Sequence, residues 1–454
     1  MSNDATSTAA RILPDEPVRS LQGWVDLGGG EGLQAAADRT PKQVRQLVSD
    51  SGLRGRGGAG FPTGTKWRSV VEAAREADST PYLVANAAEG EPGTYKDRVI
   101  IDRTPFAFLE GVLIAMHAVG AERAHLGIKE AFTQHVERLS DALDEMVAAG
   151  WHGADRVVIV PGPDEYLFGE ETAMLEVIEE HLPLPRILPP FQQGLFATTT
   201  ELHPTVVNNV ETLSHVAHIL ARGPDWFREV GTDRSPGSMV FTVVGDVRTP
   251  GVHELPLGQT LRTLLVDICG ADPDRLLAVY SGTSNAVMTP DMLDTRLGFD
   301  EMTEAGSGMG SGGFAVYSDS ACIVQVVAEL SRFLAVESCG QCIACKLGTG
   351  VITDLLLQVD AGEGTAGDLA EIRKRCVYVT DQNRCYLPVG EQLMVGSTLD
   401  AYEPDFLAHL DGGGCPKERR VLVPKIVHID DATGEVTYDE RHARKQPDWS
   451  YADG

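Results

Sequence analysis

The stretch GLRGRGGAGFPTGTKW (residues 52–67) carries six glycines and two arginines in sixteen positions. A glycine inside a helix or strand costs backbone entropy and packs nothing, so this segment reads as a loop. Such a loop lets a backbone approach a ligand closely, and its positive charges favour an anionic one. It is not a Walker loop, because Gly64-Thr65-Lys66-Trp67 lacks the Gly-Lys-Ser/Thr order. Nor is it the simple G-x-G-x-x-G turn after a clear apolar strand. Taken alone, it fits a flexible surface loop as well as a phosphate cradle, so the rest of the chain must decide.

The flanking pattern points to an α/β domain. Thr40-Pro41 predicts a helix start, with Val44, Leu47 and Val48 as its apolar stripe and Ser51-Gly52 as its end. PYLVANAAEGEPG (81–93) predicts a buried strand running into a loop, and FAFLEGVLIAMHAVG (106–120) an apolar helix. AHLGIKE and RVVIVPG predict short strands on either side of a helix over 131–149. Strand–helix alternation over 36–235 implies a parallel sheet, preceded by a poorly ordered lead-in over 1–35. A compact β-rich domain is expected over 236–325, starting with a hairpin turned by Pro250-Gly251. Helices dominate 326–410, and a tail over 411–454 contains the hairpin pattern KIVHIDDATGEVTYDE.

Composition narrows the partners. With 454 residues, the chain is long enough for several cores. Its 66 acidic against 38 basic residues give a formal charge of −28, which repels nucleic acid. MSNDATSTAARILPDEP lacks a signal-peptide pattern, and no apolar run is long enough to span a bilayer. The expectation is a cytoplasmic protein without direct membrane insertion, attached to a membrane, if at all, through partners. Eight cysteines in so long a chain do not form a disulfide framework. Cys269, Cys322, Cys376 and Cys415 are scattered, whereas Cys339, Cys342 and Cys345 are bunched, with Cys385 downstream.

That bunching, in ESCGQCIACKLGTG (337–350), is the strongest chemical signal. Structural zinc usually takes two separated ligand pairs, whereas three close thiolates and one distant one suit a cubane cluster. Thr349 stands where a ferredoxin pattern would place the fourth cysteine, so Cys385 or Cys376 supplies it. NAAEGEPGTYKDR (86–98) puts carboxylates, an amide and three further charged residues just beyond a strand end, where open α/β sheets bind ligands. FGEETAMLEVIEE (168–180) and TVVNNVETL (205–213) read as helix starts, the latter with two amides able to read a polar edge.

Together and in this order, these stretches and AGSGMGSGG (305–313) resemble the NADH-binding flavoprotein subunit of respiratory complex I. They are similar also to the diaphorase subunits of NAD-linked hydrogenases, formate dehydrogenases and electron-bifurcating enzymes. The resemblance covers about residues 40–410. It implies a multidomain α/β architecture: a Rossmann-like FMN/NADH domain, a ubiquitin-like β-grasp domain and a C-terminal helical bundle with a 4Fe–4S cluster. Carried over by position, Gly55, Arg56, Gly57, Gly58 and Lys66 would cradle FMN. Asn86, Glu89, Tyr166, Gly169, Glu170, Glu171, Asn208, Asn209 and Thr212 would complete that site. Phe61 and Phe191 would sandwich the NADH adenine, and Glu91 would sit by its ribose, disfavouring NADPH. Glu89 and Glu91 are the carboxylates assigned to the catalytic centre, although hydride transfer itself needs no protein acid or base. Cys339, Cys342, Cys345 and Cys385 would ligate the cluster.

The resemblance also implies a thioredoxin-like 2Fe–2S partner and a further iron–sulfur or catalytic subunit of formate dehydrogenase, hydrogenase or complex I type. Departures from the pattern are Ala88 for a usual Asp, Phe168 for a usual Cys and Leu188 for a customary Lys. They motivate an alternative, a non-catalytic scaffold or relay subunit that keeps the cluster but not the NADH chemistry. Some relatives continue beyond a stretch like AHLDGGGCP into a two-cluster domain, but here only Cys415 follows Cys385.

Overall fold

Two short helices, α1 (Leu21–Asp26) and α2 (Glu31–Ala37), precede the helix predicted from Thr40-Pro41. That helix, α3 (Pro41–Ser51), opens on a capping box in which the Thr40 hydroxyl accepts from the Gln43 N–H and the Gln43 side chain accepts from the Thr40 N–H. Gly52 closes it at φ +72°, a left-handed conformation that side chains disfavour. The computed structural model describes residues 11–410, 412, 413, 415, 417 and 421–452. It divides into two units: Met1–Glu89 with Lys96–Phe241 and Val252–Gly258, and Gly90–Tyr95 with Thr242–Gly251 and Gln259–Gly454.

The first unit holds the parallel sheet. Strands β1 (Tyr82–Ala87), β2 (Ala124–Lys129), β3 (Val157–Gly162) and β4 (Thr205–Asn209) pair in the order β3-β2-β1-β4. All three pairings are parallel. The connecting helices are α4 (Thr63–Glu76), α5 (Lys96–Arg103), α6 (Pro105–Val119), α7 (Thr133–Ala148), α8 (Glu171–Ile178), α9 (Val210–Arg222) and α10 (Pro224–Arg228). Helix α6 is apolar all round because it is buried almost all round. Its Gly111 lets α9 lie against it, since a Cβ there would stand 1.9 Å from the Leu213 carbonyl oxygen.

Residues 11–35 are folded, unlike the expected lead-in. Ile12, Val18, Leu21 and Trp24 join the main core of the unit. Their anchor is Glu110, a buried carboxylate in the middle of apolar α6. It accepts from the Trp24 indole at 2.8 Å, the Gly30 N–H at 2.8 Å and the Leu33 N–H at 2.9 Å. TVVNNVETL also differs from its reading as a helix start. Its first half is β4, and α9 begins at Val210 with Asn209 as the cap.

In the second sheet, β5 (Ser238–Gly245), β6 (Gly251–Pro256), β7 (Leu276–Tyr280) and β8 (Gly313–Ser318) follow the order β6-β5-β8-β7. β5 and β8 are parallel and β7 and β8 antiparallel, so the sheet is mixed. After α11 (Phe299–Glu304) come α12 (Ile323–Glu337), α13 (Ile343–Asp360), α14 (Ala366–Tyr378), α15 (Leu387–Ala401) and α16 (Glu403–Ala408). Helix α12 packs against α13 and α15. The tail hairpin is formed by β9 (Ile426–Ile429) and β10 (Val436–Tyr438). Among the described residues no helix is long and apolar enough to cross a membrane.

Candidate functional site

The carboxyl ends of β1 and β4 lie side by side, with Asn86 paired in register to Asn209 and Ala85 to Asn208. The glycine-rich loop is fastened to this edge. The Arg56 N–H donates to the Thr212 hydroxyl at 2.8 Å, and Gly57 passes so near Asn209 that a Cβ would stand 3.1 Å from the Asn209 Cβ. The loop closes on itself through the Gly55 N–H and the Phe61 carbonyl, 2.9 Å apart. Gly58 adopts φ +130° with no atom within 4 Å of where a Cβ would project. Protein packing therefore does not explain that glycine. Its conformation and the space above it suit a backbone cradle for a ligand.

The loop's arginine does not point outward. The Arg56 guanidinium is fully buried and donates to the carbonyls of Ser238 at 2.9 Å, Pro236 at 3.2 Å and Arg54 at 3.0 Å. It thus fixes the loop from below. Burial lowers its pKa to about 10 despite the neighbouring Glu211. Trp67, wholly buried at the far end of the motif, donates to the Asn208 side chain at 2.6 Å. Lys66 pairs with Glu171 and donates to the Val207 carbonyl at 3.1 Å.

Beneath the strand ends runs a chain of buried charges centred on a carboxylate that no sequence motif singles out. Lys96 Nζ lies 2.7 Å from Glu211 and 2.8 Å from Asp97, and Asn209 donates to Asp97 at 2.6 Å. Glu211 also accepts from the Val240 N–H at 2.8 Å. Burial opposes its charge, but Lys96, with His215 and Arg56, overrides this and holds its pKa at about 2. Burial likewise opposes the Lys96 charge, and Asp97 and Glu211 prevail, raising its pKa. Glu89 is absorbed locally too, accepting from the Asp97 N–H at 3.0 Å and from Arg98 at 2.9 Å. The adjacent Lys96-Asp97-Arg98 in the sequence marked these partners, whereas nothing about Glu211 separates it from an ordinary helix-start acid.

Asn86 bridges to the turn before α8, donating to the Gly169 carbonyl at 2.8 Å and accepting from the Ala88 N–H at 3.1 Å. Tyr166–Gly169 forms a short 3-10 turn, in which Tyr166 is half-buried. Glu170 caps α8, accepting from the Thr172 and Ala173 N–H groups at 3.0 and 2.8 Å, and burial raises its pKa against these bonds. Phe61 and Phe191 are 50% and 40% exposed, leaving aromatic surface for stacking. Ala88 and Phe168 share one apolar cluster, so these two departures are packed together. In the second unit, Glu91 accepts from the Thr283 N–H at 2.6 Å, the Thr283 hydroxyl at 3.1 Å and the Ser284 hydroxyl at 2.9 Å.

The cysteine turn also lies in the second unit, between α12 and α13. Cys345 is buried, whereas Cys339, Cys342 and Cys385 are half-buried. Burial, with the Cys342 and Cys339 sulfurs nearby, raises the Cys345 thiol to about 11 against a hydrogen bond from Ser338. The loop carrying Cys385 reaches the turn through Arg384, which donates to the Gln341 side chain at 2.9 Å. No three of these four sulfurs lie within 4.8 Å of one another. Three thiols within seven residues and a fourth further along the chain are a donor set that suits a multi-iron cluster. The tail braces both sides of the turn. Glu337 is paired with Lys445 at 2.8 Å and His442 at 3.1 Å, and Lys346 donates to the Ser338 and Pro447 carbonyls at 2.7 and 2.6 Å.

A glycine cradle at a parallel-sheet edge and a separate thiolate turn in one chain are a combination of flavoprotein and iron–sulfur type. Residues 48–218 match the family model described as the Nuo51 FMN-binding domain, and residues 325–409 the NADH-ubiquinone oxidoreductase-F iron-sulfur binding region. The chain is 39% identical over 417 residues to the F 2 subunit of NADH-quinone oxidoreductase from Rhizobium meliloti, covering 88% of this chain and 97% of that one. It is 33% identical to the NADP-reducing hydrogenase subunit HndC of Solidesulfovibrio fructosivorans, over 91% of this chain and 84% of the other. A crystal structure of a NAD+-reducing [NiFe]-hydrogenase in the H2-reduced state superposes with a TM-score of 0.77 at 34% identity, covering 86% of this chain and 67% of that one. The chain belongs to the family of F subunits of NADH-quinone oxidoreductase, which the sequence motifs anticipated.

Proposed function

We propose that the chain is the diaphorase subunit of a larger redox complex, exchanging hydride with NAD(H) at FMN and single electrons with a 4Fe–4S cluster. The observation carrying this reading is the glycine loop, held open at Gly58 and fastened to the ends of β1 and β4. When bound, FMN supplies the conversion between a two-electron hydride donor and one-electron steps. The protein's own residues bind, orient and exclude water. The backbone around Gly55, Gly57 and Gly58 would face the flavin phosphate and ribityl chain, with Lys66 as a cation in reach, while Arg56 and Lys96 keep the loop and strand ends rigid. Asn86, Asn208 and Asn209 are oriented by Gly169, Trp67 and Asp97, which fixes the amides at the sheet edge. Phe61 and Phe191 offer stacking faces for the dinucleotide. Glu89 and Glu91 act through charge and position, and neither moves a proton.

Cys339, Cys342, Cys345 and Cys385 would hold the cluster, in a unit we read as a β-grasp domain followed by a helical bundle. The partners proposed are a 2Fe–2S subunit and a catalytic or iron–sulfur subunit that consumes or delivers the electrons. An anaerobic NADH titration of the purified chain, followed by visible absorbance, tests the reading. Bleaching of a flavin band supports it. A brown protein whose spectrum does not respond to NADH overturns it in favour of a relay subunit.

A further inference from the structure

Away from the cysteine turn, three other ligand-bearing residues converge. Cys322, just before α12, His409, just after α16, and Cys415, in the segment beyond, bring their donor atoms within 4.8 Å of one another. Cys322 and His409 are buried, 5% and 4% exposed, and Cys415 is half-buried. In the sequence both cysteines look scattered; AHLDGGGCP holds His409 and Cys415 together, but 87 residues separate Cys322 from His409.

The imidazole is already set for coordination. Its Nδ1 lies 2.7 Å from the Asp405 carbonyl, which can only accept, so Nδ1 carries the proton and Nε2 the lone pair. Nε2 is the atom facing Cys322 Sγ, at 3.3 Å. Tetrahedral zinc with ordinary bond lengths separates a thiolate sulfur from an imidazole nitrogen by about 3.5 Å. A hydrogen-bonded carbonyl behind the metal-facing imidazole is the usual outer support of a zinc histidine. Cys322 is hydrogen-bonded to both His409 and Cys415, so three donors of metal-binding type already converge on one point. The spacing separates this group from Cys339, Cys342, Cys345 and Cys385, whose sulfurs are spread more widely.

We propose that Cys322, His409 and Cys415 bind a zinc ion, distinct from the iron–sulfur site, that ties the segment after α16 to the start of α12. Zinc is chosen because two thiolates and an imidazole match its preferred donors, and because it has no redox chemistry of its own. The site therefore holds the chain without entering the electron path. Three protein ligands leave one coordination position for water or another group. Two further hydrogen bonds support the same docking: the Gly412 N–H donates to the Gly362 carbonyl at 2.9 Å, and the Lys417 side chain donates to the Asp319 carbonyl.

The test is elemental analysis of the full chain, purified anaerobically from zinc-supplemented cells, with zinc and iron read in the same sample. We expect about one zinc per chain beside the cluster iron. Cys415→Ser and His409→Gln should lower zinc at least tenfold and keep iron, while Cys339→Ser should lose iron and keep zinc. Zinc lost with Cys339 but retained in the other two variants overturns the proposal. Because a variant can fail to fold, cobalt substitution of the wild-type chain provides a second reading. Intense tetrahedral d–d bands with a thiolate-to-cobalt charge-transfer band support the site. A weak octahedral spectrum, or a disulfide between Cys322 and Cys415 under the same anaerobic conditions, overturns it.

Discussion

Replacing Glu391 with Gln should remove a large share of the stability loss that the native chain undergoes as pH rises. Glu391 lies in α15 with no exposed surface, and one carboxyl oxygen accepts from the Ser331 hydroxyl at 2.6 Å. Ser331 in turn lies 2.8 Å from the Thr353 hydroxyl. Burial raises the carboxyl pKa from 4.5 to about 8, and the Ser331 hydrogen bond offsets only part of this. The folded chain therefore keeps a proton that the unfolded chain releases. The corresponding stability is complete below about 4.5, declines as pH rises and is gone above about 8. Each pH unit inside that window contributes about 1.4 kcal/mol, so moving from pH 6 to pH 8 costs the native chain about 2–3 kcal/mol. A neutral Gln fills similar space and escapes the penalty. Thermal melts of both proteins across that range should diverge by about 2–4 °C in favour of the variant at the alkaline end. Parallel melting profiles would refute the reasoning and mean that Glu391 is either solvated or paired in the folded chain.

Lys96→Met should cost about 3–5 kcal/mol in urea unfolding, because it removes the nearest cation from buried Glu211 and Asp97; a loss under about 1 kcal/mol contradicts the buried-charge account. Gly111→Ala forces α6 away from the Leu213 carbonyl and should cost about 1–3 kcal/mol, measured as a fall of several degrees in melting temperature. Glu91→Gln keeps an oxygen to accept from Thr283 and Ser284, so the fold should survive and the charge alone is tested. The NADH-to-NADPH ratio of kcat/KM should fall about tenfold, the effect of ~1.4 kcal/mol of lost like-charge repulsion. An unchanged ratio removes Glu91 from nucleotide selection.

What could be read from the sequence was local, and what could not was paired over distance. The Thr40 cap with Pro41, the helix end at Gly52 and the apolar stripe of α3 follow short-range rules, and the structure agrees with them. The cysteine triplet is legible for the same reason, with three thiols inside seven residues. Glu110 shows the opposite case. A single acid within FAFLEGVLIAMHAVG resembles a solubilising residue, yet its partners Trp24, Gly30 and Leu33 lie about 80 residues upstream, and they turn a polar N-terminal stretch into folded core. Arg56 makes the point for the site itself. Its charge suggested phosphate contact, but its guanidinium serves carbonyls near residue 236 that no local pattern associates with it. Gly58 is what remains when such partners are subtracted: a left-handed glycine that no protein atom crowds. On the function proposed above, the loop meets its ligand chiefly through its backbone, while Arg56 supplies the rigidity. Substituting Gly58 with Ala should weaken flavin retention while leaving melting temperature within a few degrees, whereas Arg56→Met should lower both. If Gly58→Ala instead unfolds the chain and leaves bound flavin unaffected in what survives, the division between backbone cradle and side-chain brace is wrong.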